Sequence, residues 1–200
     1  MRSAERHYDT MTLEQIKALP VDRLAADDCA LFLWCVKPEL PGALEGIKAW
    51  GFDYTSIAFS WVKTNASAQV ITLDGQGLHT GLGYWTRANP EICILAMRGR
   101  PQRLAMDVHE VIIAPVGEHS QKPAEIYNRI ERLVAGPYLE LFARSERPGW
   151  TRWGNELPVD RYDPQDDFAK SIDVAYGGPP WAPKPADAFP DFLRRPRPGS

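Results

Sequence analysis

Little in this 200-residue chain advertises a membrane, a metal or a secreted scaffold. No apolar run approaches the roughly 18 residues of a membrane span. The opening residues lack the apolar core of a signal peptide, so a cytoplasmic location is expected by default. There are only three cysteines, Cys29, Cys35 and Cys93, an odd number without a C-x-x-C pair. Each sits in or beside an apolar run, which suits buried free thiols in a reducing compartment. The four histidines show no metal-ligand spacing, so no metal site is expected. Basic excess is absent too. The net charge is −3, so any nucleic-acid contact must come from a local patch. No Gly-rich phosphate loop is present, which argues against a generic nucleotide-binding domain.

What is there is an ordinary soluble composition, 44% hydrophobic and 24% charged, in a length that suits one domain. Thr12 and Gln15 match a capping box at the start of a short helix carrying Leu13, Ile16 and Leu19, stopped by Pro20. Residues 29–36 form a continuous apolar run, as in a strand buried on both faces. Pro41 and Gly51 bracket an amphipathic helix with Leu44, Ile47 and Trp50 inward. Residues 54–62, 91–97, 111–114 and 138–143 read as further strands. A helix opening at Pro123 keeps Ile126, Tyr127, Ile130, Leu133 and Val134 at helical spacing up to Gly136. Strands alternating with helices imply an α/β layered fold with a mostly parallel sheet. The segment from Asn65 to Asn89 is long enough for a functional or disordered loop. Residues 1–157 therefore read as one domain. Residues 158–200, rich in proline and poor in core formers, read as an extended or disordered tail.

Two segments carry chemistry. One runs His119-Ser120-Gln121-Lys122-Pro123-Ala124-Glu125-Ile126-Tyr127. The other runs Leu139-Glu140-Leu141-Phe142-Ala143-Arg144, followed by a Trp-rich turn into Gly154-Asn155-Glu156-Leu157. Arg144 stands at a strand end, where open α/β sheets bind ligands, so a ligand contact and a surface salt bridge are equally open from position alone. Lys122 beside a positive helix N-terminus is locally unfavourable and suggests an external anionic partner. Upstream, Trp61-Val62-Lys63-Thr64-Asn65 and Gly81-Leu82-Gly83-Tyr84-Trp85-Thr86-Arg87 interleave aromatics with cations, a pattern suited to stacking on a base and meeting phosphate. For Trp61 itself, core packing is the favoured reading. For Lys63 and Arg87, a solvated surface is about as plausible as a nucleic-acid contact.

In this order, from Arg6 to Leu157, these segments resemble the methyltransferase-A family. Its enzymes methylate the exocyclic N(6) amine of adenine with S-adenosylmethionine. The resemblance implies a Rossmann-like methyltransferase sheet with helices on both faces, and S-adenosylmethionine as cofactor. It implies cofactor contacts at Lys122, Arg144, Asn155 and Glu156. It implies nucleic-acid contacts at His7, Tyr8, Lys63, Asn65 and Arg87. The short single-domain design without appended RNA-binding modules puts DNA before RNA as the expected partner, and a homo- or heterodimer is an open expectation. The family's usual histidine before its lysine is Gln121 here, which leaves the nearby His119 without an assigned role.

The same resemblance exposes a gap. The family's Asp-Pro-Pro-Trp turn, whose acid and proline carbonyl hold the amine, would precede Arg6. Pro179-Pro180-Trp181 is a poor substitute, because Gly178 stands where the acid is needed. Two readings follow. In one, the protein begins upstream and is an active adenine methyltransferase. In the other, it is a catalytically inactive nucleic-acid-binding or partner subunit. Retention of the cofactor-side residues favours the first.

Overall fold

The computed structural model describes residues 11–83, 85–117 and 121–153, which fall into two compact units. The expected tail, residues 158–200, lies outside the described residues.

Among the described residues, the larger unit, residues 13–135, is a four-stranded sheet with four helices. Its elements are α1 (Leu13–Lys17), α2 (Val21–Leu24), β1 (Cys29–Cys35), α3 (Leu40–Ala49), β2 (Asp53–Thr64), β3 (Glu91–Arg98), β4 (Val111–Pro115) and α4 (Glu125–Leu133). A single 3-10 turn, Lys37–Glu39, joins β1 to α3. The strand order is β1-β3-β2-β4.

The α/β class expected from the sequence is what forms, but the mostly parallel sheet is not. β3 runs antiparallel to both neighbours, and only β2 and β4 pair in parallel. The reason lies in the connections. Residues 65–90 join β2 to β3 without a crossover helix, and the chain turns back along its own strand, as antiparallel pairing allows. The consequence matters for the site. β1, β2 and β4 all end on one side of the sheet, and there the reversed β3 begins.

The core follows the central strand. Cys93, Ile94 and Ala96 of β3 are fully buried, with Phe59 and Trp61 of β2 beside them. Phe32 stacks on Phe59 with ring centroids 6.0 Å apart. From α3, Ile47 and Trp50 are buried as expected, and the Trp50 indole donates to the Ile16 carbonyl at 3.2 Å. Leu44 departs from expectation and is exposed: it sits too far round the helix to join the stripe that Ile47 begins. α4 buries Ile126 and Ile130 and stops at Leu133, before the glycine that should have ended it, because Val134 is already extended.

The two sheet edges differ. β4 is short, ends in Pro115, and has the carbonyls at its start covered: Arg129 Nη1 donates to the oxygens of His109, just before the strand, and Val111 at 2.6 and 2.8 Å. These devices blunt an edge. β1 has a seven-residue apolar sequence without proline or charge, and among the described residues it pairs only with β3.

Gly99 closes β3 with φ +62. A Cβ there would collide with the Asp27 carbonyl oxygen and with Asp28 Oδ1, which accepts the Arg100 N–H at 2.6 Å. Gly99→Ala is expected to destabilise the unit by about 2 kcal/mol or more, combining left-handed strain with a backbone clash. Urea denaturation checks this, and an unchanged midpoint would refute it.

The smaller unit contains residues 11–12 and, from Gly136 onward, two parallel strands: β5 (Tyr138–Leu141) and β6 (Trp150–Trp153). Two sequence expectations are corrected here. The strand read as 138–143 ends at Leu141, because Phe142 has φ 61, a left-handed conformation that breaks a strand. The Trp-rich turn is itself largely a strand, held by Tyr138 stacked on Trp150 at 4.8 Å and by Phe142 edge-on to Trp153 at 5.5 Å.

Candidate functional site

The site is built where β1, β2 and β4 end. Period-2 alternation places Trp61 and Lys63 on one face of β2, and the sheet register sets Glu91 opposite Trp61 and Cys93 opposite Trp34. Trp34 and Trp61 meet edge to face, 6.5 Å apart at 77°. Trp61 is 1% exposed, and its indole N–H donates to the Ala114 carbonyl at 3.0 Å, so the ring is fixed as a floor.

Three charges meet on that floor. Lys63 Nζ donates to Glu91 Oε1 at 3.1 Å, and Lys122 Nζ donates to Glu91 Oε2 at 2.5 Å. The Lys122 ammonium also lies 5.5 Å from the Trp34 ring centre and 5.9 Å from that of Trp61, while Lys63 lies 5.8 Å from Trp61. A cation over an indole face is worth about 0.5–2 kcal/mol, more as water is excluded. All three charged side chains are roughly three-quarters buried or more. Such burial is tolerable only because each charge is paired.

Burial pushes the Glu91 carboxyl up, but hydrogen bonds and charge from Lys122 and then Lys63 outweigh it and hold the group below the usual carboxylate range. A folded-state pKa below the unfolded one contributes stability that is present above about pH 4.3, the unfolded value. That contribution is lost as pH falls through the folded value. Urea titrations between pH 6 and pH 3 should therefore show an acid-labile component that Glu91→Gln removes. An identical acid limb in that variant would contradict this.

Asn89 organises the strand ends. Its side chain accepts the Lys63 N–H at 3.0 Å and donates to the carbonyls of Lys63 at 2.8 Å and His79 at 2.6 Å. Asn65, read from sequence as a nucleic-acid contact, has its N–H on the Gly77 carbonyl at 2.9 Å and its side chain on that of Leu78 at 3.2 Å. The 65–90 segment is thus tied back against the end of β2. Arg87 is exposed on it, beside the exposed Trp85.

Of the residues expected from sequence, the structure brings Lys63 and Lys122 together, from opposite ends of a long stretch of chain. Arg144 belongs to the smaller unit, three residues beyond the end of β5, where its neighbour Ala143 keeps its N–H on the Trp153 carbonyl at 3.0 Å. His7, Tyr8, Asn155 and Glu156 lie outside the described residues, as does His119. Sequence reasoning missed Glu91 and Trp34. A single acid opening the otherwise apolar strand Glu91-Ile92-Cys93-Ile94-Leu95 was the available signal for the first.

The donor set fits the amino-acid end of S-adenosylmethionine. An ammonium has three donors, and Lys122 spends one on Glu91, so a carboxylate can be taken as well. The summed charge of the cluster is +1, from two lysines and one glutamate.

Comparison with known proteins places this geometry in context. A family model described as MT-A70 matches residues 1–156. The chain is 30% identical over 164 residues to the Type II methyltransferase M.MunI of Mycoplasma sp, covering 80% of this chain and 64% of that one. It is 35% identical over 158 residues to the N(6)-adenosine-methyltransferase MT-A70-like protein of Drosophila melanogaster, covering 76% of this chain and 24% of that one. It is 34% identical over 158 residues to the N(6)-adenosine-methyltransferase catalytic subunit METTL3 of Homo sapiens, covering 76% and 26%. The chain therefore spans less than two thirds of the bacterial relative and about a quarter of the animal ones. Its mixed α/β sheet is consistent with a Rossmann-like methyltransferase fold.

Proposed function

The chain belongs to the MT-A70 family, whose methyltransferases take their methyl group from S-adenosylmethionine, and from that premise we propose that it transfers methyl to the N(6) amine of adenine in nucleic acid, DNA before RNA. The observation that supports this most directly is Lys122, carried to the carboxyl ends of β1 and β2 and held over Trp34 and Trp61, where open α/β sheets bind ligands.

In this reading Lys122 binds the cofactor carboxylate, Arg144 a ribose hydroxyl or that carboxylate, and Asn155 and Glu156 the ribose and base of the adenosine. Trp34 and Trp61 exclude water from the ammonium, which strengthens its grip on an anion. Lys63, Asn65 and Arg87 face the nucleic acid together with His7 and Tyr8, the cations meeting phosphate. When bound, S-adenosylmethionine supplies an electrophilic methyl on a sulfonium. The chain's contribution is to orient that end and to keep the site dry. A second reading is a nucleic-acid-binding or partner subunit without transfer activity.

The test is a calorimetric titration with S-adenosylmethionine, followed by incubation with adenine-containing DNA and RNA oligonucleotides and mass spectrometry of the digested nucleosides. N(6)-methyladenine establishes transfer and names the substrate. Cofactor binding without product favours the partner-subunit reading. A folded sample that binds no cofactor sinks the proposal.

A further inference from the structure

Two lysines sharing one buried indole floor are an unexpected host for S-adenosylmethionine. That cofactor carries a carboxylate, an ammonium and a sulfonium, so its net charge is +1. The cluster of Lys63, Glu91 and Lys122 is itself +1. Without Glu91 it would be +2, with both ammoniums within 6 Å of the centre of the same Trp61 ring. Glu91 is the one residue whose two oxygens are divided between the two cations, at 3.1 and 2.5 Å.

We infer that Glu91 is a specificity residue: its charge admits a cationic cofactor to a site that already holds two lysines, and shifts the site's preference toward the methyl donor and away from its demethylated product. The inference rests on the proposed reading of Lys122 as the ligand of the cofactor carboxylate. Methyl transfer leaves the S–C bonding pair on sulfur, turning the sulfonium into a neutral thioether. The amine nitrogen gains the methyl and releases a proton. Donor and product therefore differ at this site by one positive charge and one methyl. At an effective dielectric of about 20, a unit charge some 10 Å away changes affinity more than tenfold, and partial exposure with salt reduces that to about fivefold. The favour that Glu91 extends to the donor is withdrawn once the charge is gone, which assists product exchange.

The prediction follows net charge rather than structure. The affinities of S-adenosylmethionine and S-adenosylhomocysteine are measured by calorimetry in the wild-type chain, Lys63→Met, Glu91→Gln, Lys63→Met/Glu91→Gln and Lys122→Met. The donor-to-product preference should fall about fivefold in Glu91→Gln, where the cluster is +2. It should return to the wild-type value in the double variant, where the charge is again +1, and rise in Lys63→Met, where it is zero. A Glu91→Gln chain that loses both ligands equally, or a double variant that restores nothing, overturns the inference. Should Glu91→Gln fail to fold, Lys63→Met alone decides, since an unchanged preference there also overturns it. A wild-type chain that binds neither ligand, or a Lys122→Met chain that binds both as well as wild type, instead removes the underlying reading and the inference with it.

Discussion

Lys122→Met should weaken S-adenosylmethionine binding by about 30-fold or more, while leaving 5′-deoxy-5′-methylthioadenosine, which lacks the amino-acid end, nearly unaffected. The size follows from the surroundings. Removing one partner of a desolvated, hydrogen-bonded ion pair at a binding site costs about 2–5 kcal/mol, and each 1.4 kcal/mol is tenfold in affinity. The lysine side chain is 28% exposed, so the lower end of that range applies. The variant is a fair test because Glu91 keeps a second partner in Lys63 and is not left as a bare buried charge. Methionine also preserves the apolar stem against Trp34 and Trp61. Calorimetry with the two ligands checks the result. Equal loss of both would mean that the floor had collapsed, and equal retention would mean that Lys122 holds no carboxylate.

The sequence made some of this legible and concealed the rest for identifiable reasons. β1, β3 and β4 were visible as apolar runs, and α3 and α4 as helical stripes, because burial imposes periodicity locally. Strand direction is not local. The antiparallel insertion of β3 depends on how residues 65–90 fold back, and that is set by Asn89 reaching the backbone of Lys63 and His79. No period marks such a residue. Lys63 and Lys122 were each legible as candidate contacts, but for different ligands. That they share one carboxylate is a fact of register, since Glu91 is paired with Trp61, two positions from Lys63 on the same face. Trp61 shows the limit most plainly. It was read as core, and it is core, yet the same ring is the surface over which both ammoniums stand.

That double position makes Trp61→Ala the substitution with the largest expected effect on stability. Removing a fully buried indole costs about 3–5 kcal/mol through lost transfer energy and the cavity left behind. The Ala114 carbonyl, which now accepts the indole N–H at 3.0 Å, would lose its partner, adding to the cost. For a chain of this size each kcal/mol lowers the melting midpoint by about 2–4 °C, so a fall of roughly 10 °C or more is expected. Trp61→Phe separates the components. It keeps an aromatic face beneath Lys63 and Lys122 but not the N–H, so it should lose less stability than alanine and retain most of the cofactor affinity. Thermal denaturation and calorimetry on both variants decide the matter. If Trp61→Phe binds cofactor no better than the folded fraction of Trp61→Ala, the aromatic face does not hold the lysines. If Trp61→Ala melts within 2–3 °C of wild type, the strand end is not built around this ring.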